Sequence, residues 1–240
     1  MSGGVGAIIG FSFSLETGSV AVRAPDGRIV DRVLEGHRSH ANDALGTVKA
    51  LMSALGVTPG DVAAVAADVG PGGFTGLRTA CGMAQGLAIG WAVPCVAVSS
   101  LELMAHQAFR QIPGLAPDAS CLTALDARQS EVYVAVWRGD QAILSPTLLP
   151  YGTSSLFASN GDSHSQTPLR FDMVCGPGLV HLDIDAVRNE SIIPGAHALV
   201  DIAARRVAAG QTLAPADCQP LYVRQQIALT TEQRRARAGV

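Results

Sequence analysis

The sequence predicts an α/β fold built from two similar halves, and three observations carry that prediction. Strand-length apolar stretches alternate with stretches in which apolar residues recur at three-and-four spacing. A run of three strands, with a hairpin between the second and third, begins near residue 7 and again near residue 121. In each half an apolar strand later runs into Gly-Pro-Gly, at Gly70 and at Gly176, and Ser12 is spaced from Val22 as Asp126 is from Val136. Self-similarity at such a long period points to internal duplication rather than a solenoid.

Taken in order, residues 7–13, 19–24 and 28–34 read as strands, the last two joined by Pro25-Asp26-Gly27, a strong hairpin signal. The period then changes. Ala41, Ala44, Leu45, Val48, Leu51, Met52 and Leu55 fall on one helical face that Gly56 can close. A buried strand at 62–69 runs into Gly70-Pro71-Gly72-Gly73, followed by a helix over about 76–90 and a strand over 93–98. Ser99 and Glu102 have the spacing of a capping box for the next helix. The second half opens with strands at 122–126, 132–138 and 142–149, the last two separated by the Gly139-Asp140 turn. Residues 111–118, with Pro113, Gly114 and Pro117, suit a boundary, giving an amino-terminal half over 1–112, a carboxy-terminal half over 113–224 and a mobile tail over 225–240. Residues 160–168 read as a polar surface loop.

Composition narrows the function. With 240 residues, 48% of them apolar and 15% charged, the chain can bury one or two cores. A net charge of −3 and 5% aromatics argue against a protein that grips a nucleic-acid backbone alone, so any nucleic acid is expected to be held mostly by a partner. Sixteen of the seventeen cations are arginine, leaving Lys49 as the sole Schiff-base candidate. Five cysteines without a C-x-x-C pair, and an amino terminus lacking a basic region before an apolar core, point to the cytoplasm. The uncharged run 79–101 is long enough to span a bilayer, but Gln85, Pro94 and recurring glycines favour a helix, a turn and a buried strand, so no membrane association is expected.

The most distinctive segment is Gly70-Pro71-Gly72-Gly73-Phe74-Thr75-Gly76-Leu77-Arg78. Its place before a helix can present N–H groups to an anion, yet it lacks the Gly-Lys-Ser/Thr ending of a Walker A loop. The plainer reading is a tight glycine turn with Thr75 as N-cap, Phe74 packed beneath it and Arg78 a surface or interface cation. In the helix that follows, Gly82, Gly86 and Gly90 recur every four residues beside a row of Ala80, Ala84 and Ala88. Interior helix glycines cost about 1 kcal/mol each relative to alanine, so the row implies a close backbone approach, within the chain or across a subunit boundary. His37 and His40 read as solvent-facing residues ahead of a helix rather than metal ligands. Asp126, Arg128 and Glu131 read as charges of a turn between strands, with no nucleophile beside them in sequence. Arg234, Arg235 and Arg237 read as a solvated end.

Residues 68–87, DVGPGGFTGLRTACGMAQGL, resemble the TsaB (YeaZ) family, whose signature is a GPGSFTGLR-like loop followed by a small-residue helix. Further matches are Ser19-Val20-Ala21, His40, Asp126-Ala127-Arg128 with Glu131-Val132-Tyr133, and Pro220-Leu221-Tyr222-Val223-Arg224, so the resemblance spans about 7 to 224. It implies a duplicated actin-like ATPase fold and a non-catalytic subunit that pairs with TsaD, the transferase forming N6-threonylcarbamoyladenosine in ANN-decoding tRNAs, with the P-loop ATPase TsaE joining the pair. It also implies that the helices around 41–55 and 76–90 meet TsaD or, without it, a second copy. Leu45, Val48, Met52, Gly82, Gly86 and Gly90 are the expected interface residues. No cofactor is implied, and tRNA is met only through the complex.

The sequence departs from the family where an Asp-Thr-Ser turn is usual, since Ser12, Phe13 and Ser14 stand there. A carboxylate able to organise metal-bound phosphate is missing at that position, and Phe13 is expected to fill space beside it. Gly73 replaces the usual serine. The metal-binding histidine pair of TsaD is not reproduced at the spacing of His37 and His40, and glycoprotease labels of the superfamily find no support. The rival expectations are an ATP-dependent small-molecule kinase or ATPase with nucleotide near Gly72 and Gly176, and a homodimeric regulator that never meets TsaD.

Overall fold

The computed structural model describes residues 5–111, 116, 119–153, 171–184 and 188–224. The expected loop at 160–168, the tail at 225–240 and most of the 111–118 boundary lie outside them. The first half holds β1 (Ala7–Ser12), β2 (Thr17–Arg23), β3 (Ile29–Glu35), α1 (His37–Asn42), α2 (Ala44–Leu55), β4 (Val62–Gly70), α3 (Phe74–Trp91), β5 (Cys95–Ser99) and α4 (Ser100–Gln111). The second holds β6 (Ser120–Arg128), β7 (Glu131–Arg138), β8 (Gln141–Pro150), β9 (Met173–Cys175), β10 (Arg188–Asn189) and α5 (Ala196–Ala208).

The duplication is visible in the sheets. One has the order β3-β2-β1-β4-β5, and the other, read from its opposite edge, β8-β7-β6-β9-β10. In both, the first strand pairs antiparallel with the second and parallel with the fourth. The two Gly-Pro-Gly segments follow equivalent strands, and Gly70 and Gly176 share a left-handed backbone, at φ +102° and +108°.

The helix expected over 41–55 is broken at Asp43 into α1 and α2, and Gly56 closes it in the left-handed conformation as expected. Ser99 accepts the Leu101 N–H at 3.3 Å, an N-cap bond to the second helical residue instead of the anticipated capping box. Glu102 leaves the box to bind Arg206 at 2.6 and 2.8 Å, because a nearby guanidinium competes better for a carboxylate than a single N–H does.

Apart from its edge strand β3, the first sheet is covered on both faces. Ile9, Phe11, Val20, Val22 and Val65 pack under α2 and α3, while Ile8, Ala64, Ala66, Val96 and Val98 pack against Leu199, Val200 and Ile202 of α5. The second sheet packs one face on Leu101, Met104, Ala105 and Ala108 of α4. Packing therefore crosses the division expected from chain order: α4, placed before residue 112, covers the second sheet, and α5, near the end of the chain, covers the first. The sequence reading includes no element at α5, although it is an amphipathic helix with seven of its thirteen residues buried and His197 and Arg205 exposed.

Candidate partner interface

The glycine loop lies directly on the turn between β1 and β2. The Gly73 N–H donates to the Ser14 carbonyl at 2.7 Å. A Cβ added at Gly72 would stand 2.5 Å from that same oxygen, and one added at Gly76 would fall on the Phe13 carbonyl oxygen, so neither position has room for a side chain. Helix α3 begins two residues earlier than expected. Gly73 is the N-cap, Thr75 lies inside the first turn and accepts the Thr79 hydroxyl on its carbonyl at 2.9 Å, and Phe74 is 44% exposed instead of packed beneath the turn. Phe74 serves as a platform: the Arg78 guanidinium sits 3.8 Å over its ring, and the Arg78 Nε donates to the Tyr222 hydroxyl at 3.2 Å.

Two sites differ from their sequence reading. His40 is buried and stacked 4.6 Å from the fully buried Phe13, because α1 turns it under the β1–β2 turn; it is not solvent-facing. The carboxylate missing at residue 12 is present next door. Asp68, a lone acid in an apolar strand, is fully buried with its Oδ2 accepting the Ser12 hydroxyl at 2.8 Å. Burial pushes its carboxyl above the usual range despite hydrogen bonds from Ser100 and the Gly70 N–H. Among the described residues, no group of three or more His, Cys, Asp or Glu is arranged to hold a metal ion.

The small-residue rows of α3 divide by face. Ala80, Ala84 and Ala88 are completely buried and supply the close approach to the sheet. Gly82, Gly86 and Gly90 face outward, and a Cβ at any of them would meet nothing within 4 Å. Intrachain packing is thus the work of the alanines and leaves the glycines without an internal purpose. Leu45, 50% exposed, shares an open groove of about 420 Å³ with Gly82, Met83, Gly86, Leu87 and Arg78. Val48 and Met52, expected on the same surface, are only 4% and 7% exposed, since the face of α2 that carries them is its core face.

The closing segment links this region to the second half. The Leu221 N–H donates to the Val69 carbonyl at 2.7 Å, and Arg224 donates to the carbonyls of Ala127 and Arg128 at 3.1 and 3.3 Å while pairing with Glu131. Those carbonyls belong to a turn in which Arg128, Gln129 and Ser130 are all left-handed. Burial opposes the charge of Asp126, but hydrogen bonds from the Tyr151 hydroxyl at 2.6 Å and the Arg128 N–H at 2.7 Å outweigh it and lower its pKa. Asp126, Arg128 and Glu131 accordingly build the turn. A cleft of about 440 Å³ lies between this turn, Tyr133, Pro71, Gly72, Phe74 and Tyr222. The second Gly-Pro-Gly takes no part in it: a Cβ at Gly178 would stand 2.6 Å from the Leu125 nitrogen of β6.

Two five-stranded sheets of one shared order, each entering its Gly-Pro-Gly from the equivalent strand, define a duplicated protein of the actin-like fold class. A family model described as TsaD, tRNA N6-adenosine threonylcarbamoyltransferase, matches residues 34–150. The tRNA threonylcarbamoyladenosine biosynthesis protein TsaB of Escherichia coli strain K12 is 32% identical over 204 residues, which cover 80% of this chain and 83% of that protein. A solved YeaZ from Pseudomonas aeruginosa superposes with a TM-score of 0.74 at 28% identity, covering 90% of this chain and 99% of the other. A second structure from that organism, described as an uncharacterized protein with similarity to peptidase YEAZ, gives 0.76 at 29% identity, covering 91% and 100%. The chain belongs to the TsaB family of tRNA threonylcarbamoyladenosine biosynthesis proteins.

Proposed function

We propose that this chain is a non-catalytic scaffold subunit that pairs through the outer face of α3 with a TsaD-type transferase, is joined by a TsaE-type ATPase, and so supports N6-threonylcarbamoyladenosine formation in ANN-decoding tRNAs. The observation that carries this reading is the row Gly82, Gly86 and Gly90, open to solvent and flanked by the exposed Leu45 and Ile89. A glycine row lets a partner helix approach the α3 backbone closely, and exposed leucine and isoleucine supply the apolar contact. Of the six expected interface residues, Val48 and Met52 support it from within the core. Without the transferase, the same face serves a second copy of the chain.

The rival reading, an ATP-dependent kinase or ATPase, is disfavoured by the loop itself. The Gly73 N–H is already bonded to Ser14, and Gly72 and Gly76 lie against the β1–β2 turn, where a phosphate would have to sit. With a net charge of −3, contact with tRNA falls to the assembled complex.

Titration calorimetry against the TsaD homologue tests the pairing. Gly86→Leu is expected to weaken it at least tenfold through added bulk on the ridge, with the fold intact by circular dichroism. Unchanged affinity would place the interface elsewhere.

A further inference from the structure

At the carboxyl end of the first sheet, three segments converge on one buried side chain. β1 and β4 are parallel neighbours with Phe11 opposite Ala67, which brings Ser12 beside Asp68 at the next step. The Ser12 hydroxyl donates to Asp68 Oδ2 at 2.8 Å. Oδ1 accepts the hydroxyl of Ser100, the first residue of α4, at 2.5 Å and the Gly70 N–H at 3.0 Å. Ser12, Asp68 and Ser100 are all buried, so these donors stand in for the water that the carboxylate has lost. The donors come from the end of β1, the end of β4 where the glycine loop begins, and the start of α4, so one side chain joins the points at which three segments leave the sheet.

We infer that Asp68 is the positioning residue of the glycine loop, its two oxygens tying the end of β1, the Gly70 N–H and the start of α4 into one knot. The knot fixes where the chain leaves β4. From there Gly72 and Gly76 settle on the Phe13–Ser14 backbone, and α3 departs with its glycine row outward. A side chain that merely filled the core would need neither two acceptor oxygens nor donors on three segments. This role holds whether or not α3 meets a transferase.

Amide hydrogen exchange by NMR separates positioning from general stability, with the β6–β7 amides as the internal reference. Asp68→Ser is expected to speed exchange at Gly70 and Gly73 at least tenfold relative to that reference. Ser12→Asp alone, which sets two carboxylates side by side, is expected to do likewise. The double variant S12D/D68S returns a carboxylate and a hydroxyl to the same volume, so its loop amides are expected within threefold of the parent. Should Asp68→Ser not fold, Asp68→Asn is read the same way, with loop exchange at least threefold faster than the reference. Loop amides that change only in step with β6–β7, or a double variant no better folded or protected than Asp68→Ser, would overturn the inference.

Discussion

The glycines of α3 and its leading loop look alike in sequence and do opposite work. Gly76 sits where a Cβ would collide with the Phe13 carbonyl, so Gly76→Ala is expected to cost at least about 2 kcal/mol, read from denaturant unfolding. Gly86 sits in open space on the same helix. Gly86→Ala is therefore expected to stabilise the isolated chain by about 0.5–1 kcal/mol through helix propensity alone, seen as a rise in Tm. A residue that stability would replace is kept for another reason, and the proposed partner surface supplies one. The four-residue spacing makes the glycine row legible in the sequence. Which row faces outward is not legible there, because Ala80, Ala84 and Ala88 have the same period and also permit close packing.

Among the elements, α4 and α5 join the halves through a polar seam. Arg205 can only donate, so His106 accepts it on Nδ1 at 3.0 Å and turns Nε2–H to Asp201 at 2.9 Å. The His106 bond, opposed by partial burial and helped by the cations Arg110 and Arg205, lowers the Asp201 pKa to about 2. Because the folded value lies below the unfolded one, this carboxylate stabilises the fold above about pH 4, and that contribution is lost as pH falls toward 2. Asp201→Asn is expected to remove about 1 kcal/mol of stability at neutral pH and to flatten the acid limb of the unfolding profile between pH 4 and 2. The strands were readable because apolar runs bounded by Gly, Pro and Asp leave little alternative, and the repeated hairpins gave the duplication. The seam was not, since the partners of the polar residues of α5 lie about a hundred residues away. Asp68 was visible as a lone acid in 62–69, but a single charge in a strand does not say which segments it will tie together.

Across the whole molecule, the segment after Cys218 acts as a strap. Cys218 is buried against the first core, Leu221 extends the hydrogen bonding of β4, and Arg224 holds the left-handed turn of the second half. Arg224→Ala is expected to cost about 1–3 kcal/mol and to speed amide exchange at 127–131 and 70–76 together, whereas a local contact would affect only the first. Among the described residues, no helix is long and apolar enough to cross a membrane. The strap and the helices exchanged between halves make one frame that presents α3, and presenting it is the proposed work of the protein. The direct test is threonylcarbamoyl transfer to tRNA reconstituted from the TsaD and TsaE homologues and a threonylcarbamoyl-adenylate supply, with and without this chain. Modification that depends on the chain, and falls with Gly86→Leu, is the expected result; equal modification in both reactions, with the transferase shown to be active, would contradict the scaffold role.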